Sequence, residues 1–473
     1  MFTAAANTSA SNTVVDTPPE PNTTVDPVIL GLPGVLPVIN KKAVEYSIMA
    51  GLAMGCEIAR FTKWDRKSYY YPDLPKNYQI SQYDLPLCGP GHFEITDEFG
   101  KPMTVRIRRA HLEEDAGKLL HEAPGGYAIN YSIVDLNRAG TPLLEIVTEP
   151  DMTTARQVGI FAQELQKLVQ FLGISQAQLQ LGQMRIEPNI NVHITDQDGQ
   201  VHKTAITEVK NLNSFSVVEK AVASEIKRQI EVWEQTGDLG KKSTYGWDET
   251  TQSTFLQREK EEAHDYRYFP DPDLVPVTVN DQWLTQIKSR IGELPAARRK
   301  RYLNALGLSE IEATILAGDR ATGDLFDATL QLGTPTRRAT VLMETLREMS
   351  NDANRPISLL GVTPVQLAEL AKLVEAGKLA ASKETARKVL DEITRNQGGS
   401  IEATATSLGL IQSTDTGPVD AAIDAMIAAN PQPLQDYKAG KASALGALVG
   451  MVMKQGKGLN AKVVQERLKA KLG

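Results

Sequence analysis

The chain has 473 residues and a net charge of −7; 41% of the residues are hydrophobic and 23% are charged. This balance is typical of a globular protein, and at about 100–200 residues per domain it predicts two to four domains. The net charge argues against a protein that coats nucleic acid along its whole surface. A membrane span is also excluded, because no stretch approaches the roughly 18–20 consecutive apolar residues that one needs.

The first segment, residues 1–27, is rich in Thr, Asn, Pro and Ala and has no hydrophobic periodicity, which predicts disorder. It has no Lys or Arg, and it contains Asp16, Glu20 and Asp26, so neither a signal peptide nor a transit peptide is expected. The cytosol is therefore the predicted location. The two cysteines, Cys56 and Cys88, are too few for a disulfide framework or a cysteine-based metal site, and each is expected to be structural.

Residues 28–280 are predicted to form a domain that mixes helices and strands. Short segments of alternating apolar and polar residues favour an antiparallel or mixed sheet, with one face in the core and the other along a cleft. Helices are predicted near Thr154–Leu172 and near Ser216–Trp233, where apolar residues recur with the helical period.

The remaining residues, 281–473, lack strand signals and are rich in Ala, Leu, Glu and Lys. They are predicted to form a helical connecting domain, 281–351, and a small helical C-terminal domain, 352–473. The fold class predicted for the whole chain is therefore α+β, with a mixed or antiparallel sheet domain followed by all-α domains.

One predicted strand, Arg185–Ile194, carries polar residues along a single face, because side chains alternate between the two faces of a strand. The polar positions are Arg185, Glu187, Asn189, Asn191 and His193. A second strand places Glu208 and Lys210 on a common face. Such faces line a cleft or meet bulk water, and the pattern alone leaves both readings open.

Two carboxylates, Glu145 and Glu113, are candidates for chemistry. Glu145 stands between Leu143 and Val147 on one strand face, which predicts partial burial, and a buried carboxylate is normally neutralised, paired or bound to a metal. Glu113 is the first of three consecutive acidic residues. Carboxylates from separate strands are ligands that Mg²⁺ uses together with phosphate oxygens, so the pattern indicates phosphoryl chemistry without fixing the reaction.

Other kinds of site are not supported by the sequence. It contains no GxxxxGK[ST] string, which argues against a P-loop nucleotide-binding protein. The pair His111 and Glu113 is too short a pattern to be a zinc motif.

The C-terminal end of the chain is basic although the whole chain is acidic. Residues 438–473 contain eight Lys and Arg residues against one acid, Glu466. This asymmetry predicts a contact with phosphates at that end. The alternative is a solvated, lysine-rich helical surface.

Several long strings in a fixed order are the most specific feature of the sequence. They are Leu30–Asn40 (LGLPGVLPVIN), Tyr71–Asp84 (YPDLPKNYQISQYD), His111–Lys118 (HLEEDAGK), Val134–Asp151 (VDLNRAGTPLLEIVTEPD), Glu208–Phe215 (EVKNLNSF) and Lys260–Leu274 (KEEAHDYRYFPDPDL). Together they resemble the B subunit of the bacterial aminoacyl-tRNA amidotransferase, the GatB family. The helical C-terminal half resembles the tail of the same family.

The resemblance implies a carbon–nitrogen ligase that uses ATP and Mg²⁺. In the implied reaction, the side chain of Glu or Asp on mischarged Glu-tRNA(Gln) or Asp-tRNA(Asn) is phosphorylated. Ammonia released from glutamine by a partner A subunit then displaces the phosphate, and a small C subunit completes the complex. The sheet domain would be the family's cradle-shaped catalytic domain, and the tail would bind tRNA.

The resemblance also assigns roles to residues at matching positions. Glu113 and Glu145 match the family's catalytic Mg²⁺ carboxylates, and Glu208 is a candidate for a third. Candidates for contact with the nucleotide or the acyl group are Lys76, Tyr78, Gln79, Ser81, Gln82, Arg138, Arg185, Lys210 and Asn211. The tRNA candidates are Lys454, Lys457, Lys462, Arg467 and Lys469. For the loop that contains Lys76 the alternative is a Pro-rich structural turn.

The sequence departs from the family pattern in two places. The family normally begins with a strand that bears a Glu-Val-His segment, whose Glu and His help to bind Mg²⁺, and this chain starts after that point. The family often has a four-cysteine zinc knuckle, but the matching string here is Asp26–Gly31, so no structural zinc is expected. Two hypotheses follow: an active amidotransferase subunit, or a tRNA-binding scaffold subunit that lacks the metal site.

Overall fold

The computed structural model of this chain describes residues 20–123, 126–259, 266–412, 416–429, 443–455 and 461–472. The chain divides into two compact units, Met1–Leu294 and Pro295–Gly473. The first contains all the described strands, and the second is helical. The α+β class predicted from the sequence, with a helical C-terminal half, is confirmed.

The described residues of the first unit form sixteen strands and four helices. The strands are β1 Phe61–Thr62, β2 Asp65–Ser68, β3 Tyr78–Ser81, β4 Gly91–Thr96, β5 Pro102–Glu114, β6 Lys118–Ala123, β7 Tyr127–Asp135, β8 Pro142–Thr148, β9 Asn189–Ile190, β10 His193–Thr195, β11 Val201–Lys203, β12 Thr207–Lys210, β13 Ser243–Asp248, β14 Ser253–Glu259, β15 Phe269–Pro270 and β16 Val277–Thr278. The helices are α1 Lys41–Ala53, α2 Ala155–Phe171, α3 Phe215–Thr236 and α4 Asp281–Ile291.

A three-stranded antiparallel sheet, in the order β4-β5-β8, supports the first of two hydrophobic cores in this unit. Val105, Ile107 and Leu112 of β5 are buried against α1 and α2. The neighbouring sheet β15-β2-β3 packs behind β5 and contributes Ile80 to the same core.

The second core lies between α3 and the sheet β14-β13-β12-β9. Strands β12 and β13 are parallel, whereas the other described pairs are antiparallel. A parallel pair needs a long crossover, and α3 provides it. Helix α3 ends at Gly237, whose φ of 71° is the left-handed conformation that glycine adopts without strain.

Helix α2 belongs to both cores and crosses α3 at close range. Its residues Phe161 and Leu165 enter the first core, and Val158 packs against the second. At the crossing, a Cβ atom on Gly159 would lie 2.1 Å from Oε1 of Glu219 on α3, so any larger residue at this position would displace the Glu219 side chain.

The segment predicted to be a strand at Arg185–Ile194 is broken. Only β9 and β10 have strand geometry, and Pro188, which has no N–H to donate, lies just before β9. The predicted alternation persists nonetheless, because the odd-numbered residues from 185 to 193 are the exposed ones. Residues 20–27 also differ from the predicted disorder: Asn22 and Thr24 hydrogen-bond to the turn that contains Asp135 and Asn137.

The described residues of the second unit form helices, several of which begin at side-chain caps. They are α5 Pro295–Leu306, α6 Glu310–Gly318, α7 Arg320–Gln331, α8 Thr336–Asp352, α9 Pro364–Glu375, α10 Lys383–Arg395, α11 Ile401–Ser407, α12 Thr416–Ala429, α13 Ser443–Gln455 and α14 Ala461–Leu472, with a 3₁₀ turn at Ile357–Leu359. Capping boxes at Ser309 and Thr363 satisfy first-turn N–H groups. Helices α5 to α11 share one core, and α12, α13 and α14 share another. None of the described helices is long and apolar enough to span a membrane.

Candidate active site

Three potential metal ligands meet where β5 and β8 pair. His111 and Glu113 are two residues apart on β5 and therefore share a face, and Glu145 of β8 lies directly opposite His111. One ligand atom from each residue lies within 4.8 Å of the other two. His111 Nε2 is 3.2 Å from an oxygen of Glu113 and 3.8 Å from an oxygen of Glu145. We call these three residues the carboxylate cluster.

Glu113 is buried and is held in one orientation by neutral donors. Ser81 Oγ donates to Glu113 Oε1 at 2.6 Å, and Gln79 Nε2 donates to Glu113 Oε2 at 3.0 Å. Burial works to raise the pKa of Glu113, but the hydrogen bond with His111 and the positive charge of Lys67 outweigh it and lower the pKa to about 2. The group is thus a permanent anion at neutral pH, as a ligand for a hard cation must be.

The apolar neighbours of Glu145 predicted partial burial, and its side chain is half-buried in the wall of the cleft. Its side chain is 48% exposed, because this face of β8 lines a cleft rather than a core, and Leu143 and Val147 line the same cleft. The cluster thus combines a buried carboxylate of fixed orientation, Glu113, with a carboxylate that solvent and bound molecules can reach, Glu145.

The cleft encloses about 1910 Å³ and is lined by β8, α2 and the polar face of residues 185–193. Basic side chains occupy its walls, and most of them are paired. Arg185 forms an ion pair with Asp115, and Lys210 Nζ lies 3.0 Å from Glu187. For both cations desolvation would lower the pKa, but the acidic partners prevail and raise it, so both remain charged.

Arg138 and Asn211 were also predicted to contact the nucleotide or the acyl group, and they differ in their position relative to the cleft. Arg138 lines the cleft and donates to the backbone carbonyls of Ala116 and Gly117 at 3.1 and 2.5 Å, which fixes the turn after β5. Asn211 is exposed and does not line the cleft; its φ of 63° is a left-handed conformation that Asn tolerates.

Glu208 is not part of the carboxylate cluster. It lies on β12, in the other sheet, where one of its oxygens is 3.7 Å from Lys210 Nζ and Thr244 Oγ1 donates to the other at 3.4 Å. Glu208 lines the same cleft. The alternation in the sequence therefore indicated which face of the strand Glu208 lies on, but it did not indicate how far Glu208 is from the metal ligands.

The five candidates around β3 have different environments. Gln79 lines the cleft, and Ser81 lies behind it against Glu113. Lys76 is buried in an ion pair with Glu114, on the far side of β5 from the cleft. Tyr78 is stacked between Arg66 and Lys76 at 4.3 and 4.7 Å from the ring centroid.

Gln82, the fifth of these candidates, is fully buried and structural in its contacts. Its Nε2 donates to Thr62 Oγ1 at 2.6 Å, and its Oε1 accepts from the backbone N–H of Leu112 at 3.0 Å. Lys76, Tyr78 and Gln82 therefore support the site from behind and do not line the cleft.

The candidate tRNA residues lie in the second unit and are only partly described. Lys454 of α13 and Lys469 of α14 are exposed. The guanidinium of Arg467 is engaged by Asp420 of α12, with Nε donating at 2.9 Å. Lys457 and the side chain of Lys462 lie outside the described residues, as do residues 260–265 of the Lys260–Leu274 string.

Sequence reasoning missed His111 and Lys67 as members of the site. The pair of His111 and Glu113 is too short for a zinc motif, but the two-residue spacing that places both on one strand face was a usable signal. Lys67 of β2 lies with its Nζ 4.0 Å from Glu113 Oε1, and no local pattern indicates this proximity of residues 46 positions apart.

The donor set of the carboxylate cluster fits a divalent metal ion. Two carboxylates and an imidazole within 4.8 Å provide a partial coordination sphere, open to ligands on the cleft side because Glu145 is exposed. Mg²⁺ is typically bound by one or two carboxylates with phosphate oxygens and waters, and the two glutamates match that pattern. The residues present therefore fit the metal that the resemblance implied.

Two family models match successive parts of the chain. Residues 1–285 match the family described as the GatB/GatE catalytic domain, and residues 324–472 match the family described as the GatB domain. The B subunit of the aspartyl/glutamyl-tRNA(Asn/Gln) amidotransferase from Carboxydothermus hydrogenoformans is 43% identical over 456 residues, which are 96% of this chain and 93% of that protein.

The proteins of the same name from two other organisms are similarly related. That of Thermoanaerobacter sp. is 43% identical over 455 residues, covering 96% of this chain and 93% of its own. That of Thermosynechococcus vestitus is 42% identical over 471 residues, covering 98% and 92%. This chain therefore belongs to the GatB family, the B subunits of the aspartyl/glutamyl-tRNA(Asn/Gln) amidotransferases.

Proposed function

We propose that this chain activates the side-chain carboxylate of Glu or Asp on a mischarged tRNA, in a complex with a glutaminase A subunit and a small C subunit in the cytosol. The substrates would be Glu-tRNA(Gln) or Asp-tRNA(Asn), ATP and ammonia derived from glutamine. The observation that carries this proposal is the carboxylate cluster at the wall of a large cleft with charged walls.

The reaction has two balanced steps. In the first, an oxygen of the substrate carboxylate bonds to the γ-phosphorus of ATP, and the bond from that phosphorus to the ADP oxygen breaks. In the second, the nitrogen of ammonia bonds to the activated carbonyl carbon, the bond to the phosphate oxygen breaks, and nitrogen loses a proton. Activation is needed because a free carboxylate is a poor acyl donor.

The residues of the chain would hold reactants and charge in place. Glu113 and Glu145, with His111, would hold Mg²⁺, which when bound offsets the negative charge of phosphate and carboxylate oxygens. Ser81 and Gln79 keep Glu113 oriented, so little reorganisation accompanies the reaction.

The basic residues of the cleft would bind the phosphates. Lys67 lies against the carboxylate cluster, and Arg185 and Lys210 lie farther along the walls. Arg185 and Lys210 are each paired with an acidic residue, which offsets part of their positive charge. The electric field that they produce in the cleft would therefore depend on how the two ion pairs are oriented.

The alternative is a subunit that binds tRNA without chemistry. Two carboxylates and an imidazole within ligand distance of one another favour the enzyme instead.

The test is transamidation of Glu-tRNA(Gln) by the chain with its A and C partners, with ATP and Mg²⁺. Ammonium chloride replaces glutamine in a parallel reaction, so that a defective glutaminase cannot hide the activation step. Glu145→Gln should lower ATP-dependent product formation at least about 100-fold, since it removes a ligand of the metal. Because Glu145 is exposed, the change should leave the folding of the chain intact.

The matched control is Glu149→Gln. Glu149 lies on the same cleft wall, pairs with Arg108 at 2.8 Å and is outside the carboxylate cluster. It should keep its rate within about threefold, the effect of a surface ion pair. Equal rates for Glu145→Gln and the wild type would remove Glu145 from the mechanism. A wild-type complex that binds tRNA but consumes no ATP would establish the scaffold instead.

A further inference from the structure

Five tyrosines form a continuous row beside the carboxylate cluster. In order of contact they are Tyr83, Tyr268, Tyr266, Tyr69 and Tyr71. The first two rings are stacked with centroids 4.3 Å apart, and the others meet edge to face at 6.2, 6.1 and 6.2 Å. We call this row the tyrosine arc.

The arc is built on one end of the sheet β15-β2-β3. Tyr69 and Tyr71 follow β2, Tyr83 follows β3, and Tyr266 and Tyr268 precede β15. A hydrogen bond from the Ser68 backbone N–H to the Tyr266 carbonyl, 2.7 Å long, joins the two halves of the row. The arrangement is therefore fixed by strand pairing and does not depend on the rings alone.

The arc remains open to solvent although its rings are packed against one another. Tyr83 is 55% exposed, Tyr71 52% and Tyr266 43%. Single exposed tyrosines are ordinary, but a contiguous aromatic surface on a folded chain indicates a site for a ligand. Tyrosine is also the side chain that combines an apolar face with a polar edge, which suits a wet binding surface.

The arc is connected directly to the metal ligands. Tyr69 Oη donates to Gln79 Oε1 at 3.4 Å, and the amide of the same Gln79 donates to Glu113. The ammonium of Lys67 lies 5.0 Å from the centroid of Tyr266 and 4.0 Å from Glu113 Oε1. A ligand stacked on the arc would therefore place its neighbouring atoms at the carboxylate cluster.

Positive charge accompanies the rings. Lys67 lies under the middle of the arc, and Arg109 lies at its end, where Nη1 donates to the Tyr83 carbonyl at 2.7 Å. Rings with cations beside them are the combination that binds single-stranded nucleic acid: bases stack on aromatic faces and phosphates meet Lys or Arg.

We propose that the tyrosine arc binds the unpaired nucleotides at the 3′ end of the aminoacylated RNA. This inference rests on the proposed function, in which the reacting carboxylate is attached to the terminal ribose. Only a few covalent bonds separate that carboxylate from the ribose, so the terminal bases lie next to the carboxylate cluster when the carboxylate is activated. The arc is the aromatic surface at that position.

The competing occupant is the adenine of ATP. A single adenine needs one stacking partner on each face and an enclosed pocket that holds it. The arc instead presents three exposed rings, Tyr83, Tyr266 and Tyr71, with the partly buried Tyr268 and Tyr69 between them, and this spaced series matches consecutive bases of a flexible strand. The experiment separates the two occupants.

The experiment measures binding of fluorescently labelled tRNA(Gln) to the complex, with the 3′ end intact or with its last two nucleotides removed. Two variants, Tyr83→Leu and Tyr266→Leu, remove an exposed ring but keep apolar bulk. Stacking of one base changes affinity roughly 5- to 150-fold, so each variant should bind intact tRNA at least about fivefold more weakly. Trimmed tRNA should bind each variant and the wild type equally.

Two controls accompany these variants. Tyr266→Phe keeps the ring and should bind like the wild type. Tyr131→Leu makes the same change at a tyrosine that is 61% exposed on β7 and outside the arc, and it should also leave tRNA affinity unchanged. The KM for ATP, measured in the ammonium-dependent reaction, should be the same in all the variants.

The proposal is overturned if the leucine variants weaken intact and trimmed tRNA by the same factor, or do not weaken either. It is also overturned if they raise the KM for ATP instead, which would assign the arc to adenine. Because binding needs no turnover, a wild-type complex with end-dependent binding but no transamidation would overturn the proposed function and leave the arc assignment standing.

Discussion

The buried ion pair between Lys76 and Glu114 gives a prediction about stability. The Lys76 side chain is 5% exposed and that of Glu114 is 2% exposed, and Glu114 Oε1 also accepts from the Ile80 backbone N–H at 3.0 Å. Glu114→Gln keeps the shape and an acceptor for Ile80 but leaves a buried ammonium without its anion. Removal of one partner of a buried pair costs about 3–5 kcal/mol. We expect the free energy of unfolding to fall by that amount.

The double variant Lys76→Met/Glu114→Gln tests the cause. It buries no charge, so it should be more stable than Glu114→Gln alone, because a neutral replacement of a buried pair is often nearly without cost. Simple additivity of the two single changes would contradict the pairing.

Urea unfolding followed by tryptophan fluorescence is a suitable assay, because all four tryptophans, at positions 64, 233, 247 and 283, belong to the first unit. The signal therefore reports the unit that contains the ion pair. Glu164→Gln is the matched control: its ion pair with Lys167 is exposed at 41% and 60%, and its loss should cost at most about 1 kcal/mol. A change at Glu114 no larger than that of the control would refute the reasoning.

Two further predictions concern pH and salt. Burial raises the pKa of Glu113, but the hydrogen bond from His111 helps to lower it from 4.5 to about 2. The ionised form of Glu113 therefore stabilises the fold above pH 4.5, and this stabilisation is lost as the pH falls towards 2. In EDTA, the unfolding free energy of the wild type relative to Glu113→Gln should therefore fall by about 3 kcal/mol over that range; a constant difference would contradict the shift. Replacing Lys454 and Lys469 with Gln should weaken tRNA binding and flatten its salt dependence by about one unit of slope per lost phosphate contact. Arg467→Gln removes a guanidinium that is already held in an ion pair, so it should change the slope of the salt dependence less. Equal slopes for the wild type, the lysine variant and the arginine variant would mean that this surface is only solvated.

The sequence predicted the class of the fold and the faces of its strands, because both depend on local periodicity. Helix α2 begins within one residue of the predicted start, since its N-cap Thr154 and capping-box partner Gln157 are local signals. Glu113 and Glu145 were also predicted, and the structure brings them together. Their roles as metal ligands remain a prediction, as do the domain boundaries at 281 and 352.

The parts that could not be predicted depend on distant partners. Glu208 has the right alternation but belongs to a different sheet from the metal ligands, and alternation does not specify the sheet. Lys76 has the sequence context of a ligand-binding loop, but it forms a buried ion pair with Glu114 on the far side of β5. The pairing of His111 with Glu145 depends on strand register, which one sequence does not reveal, although the spacing of His111 and Glu113 on one strand face was a local signal.

The close crossing at Gly159 links the spacing of two helices to the geometry of the cleft. Helix α2 enters the core that carries Glu113 and the core that carries Glu208, so the two walls of the cleft are joined through this helix. A methyl group at Gly159 would displace the Glu219 side chain and disturb its ion pair with Arg156 of α2. Gly159, which does not line the cleft, therefore lies at the crossing where the two walls of the cleft are joined.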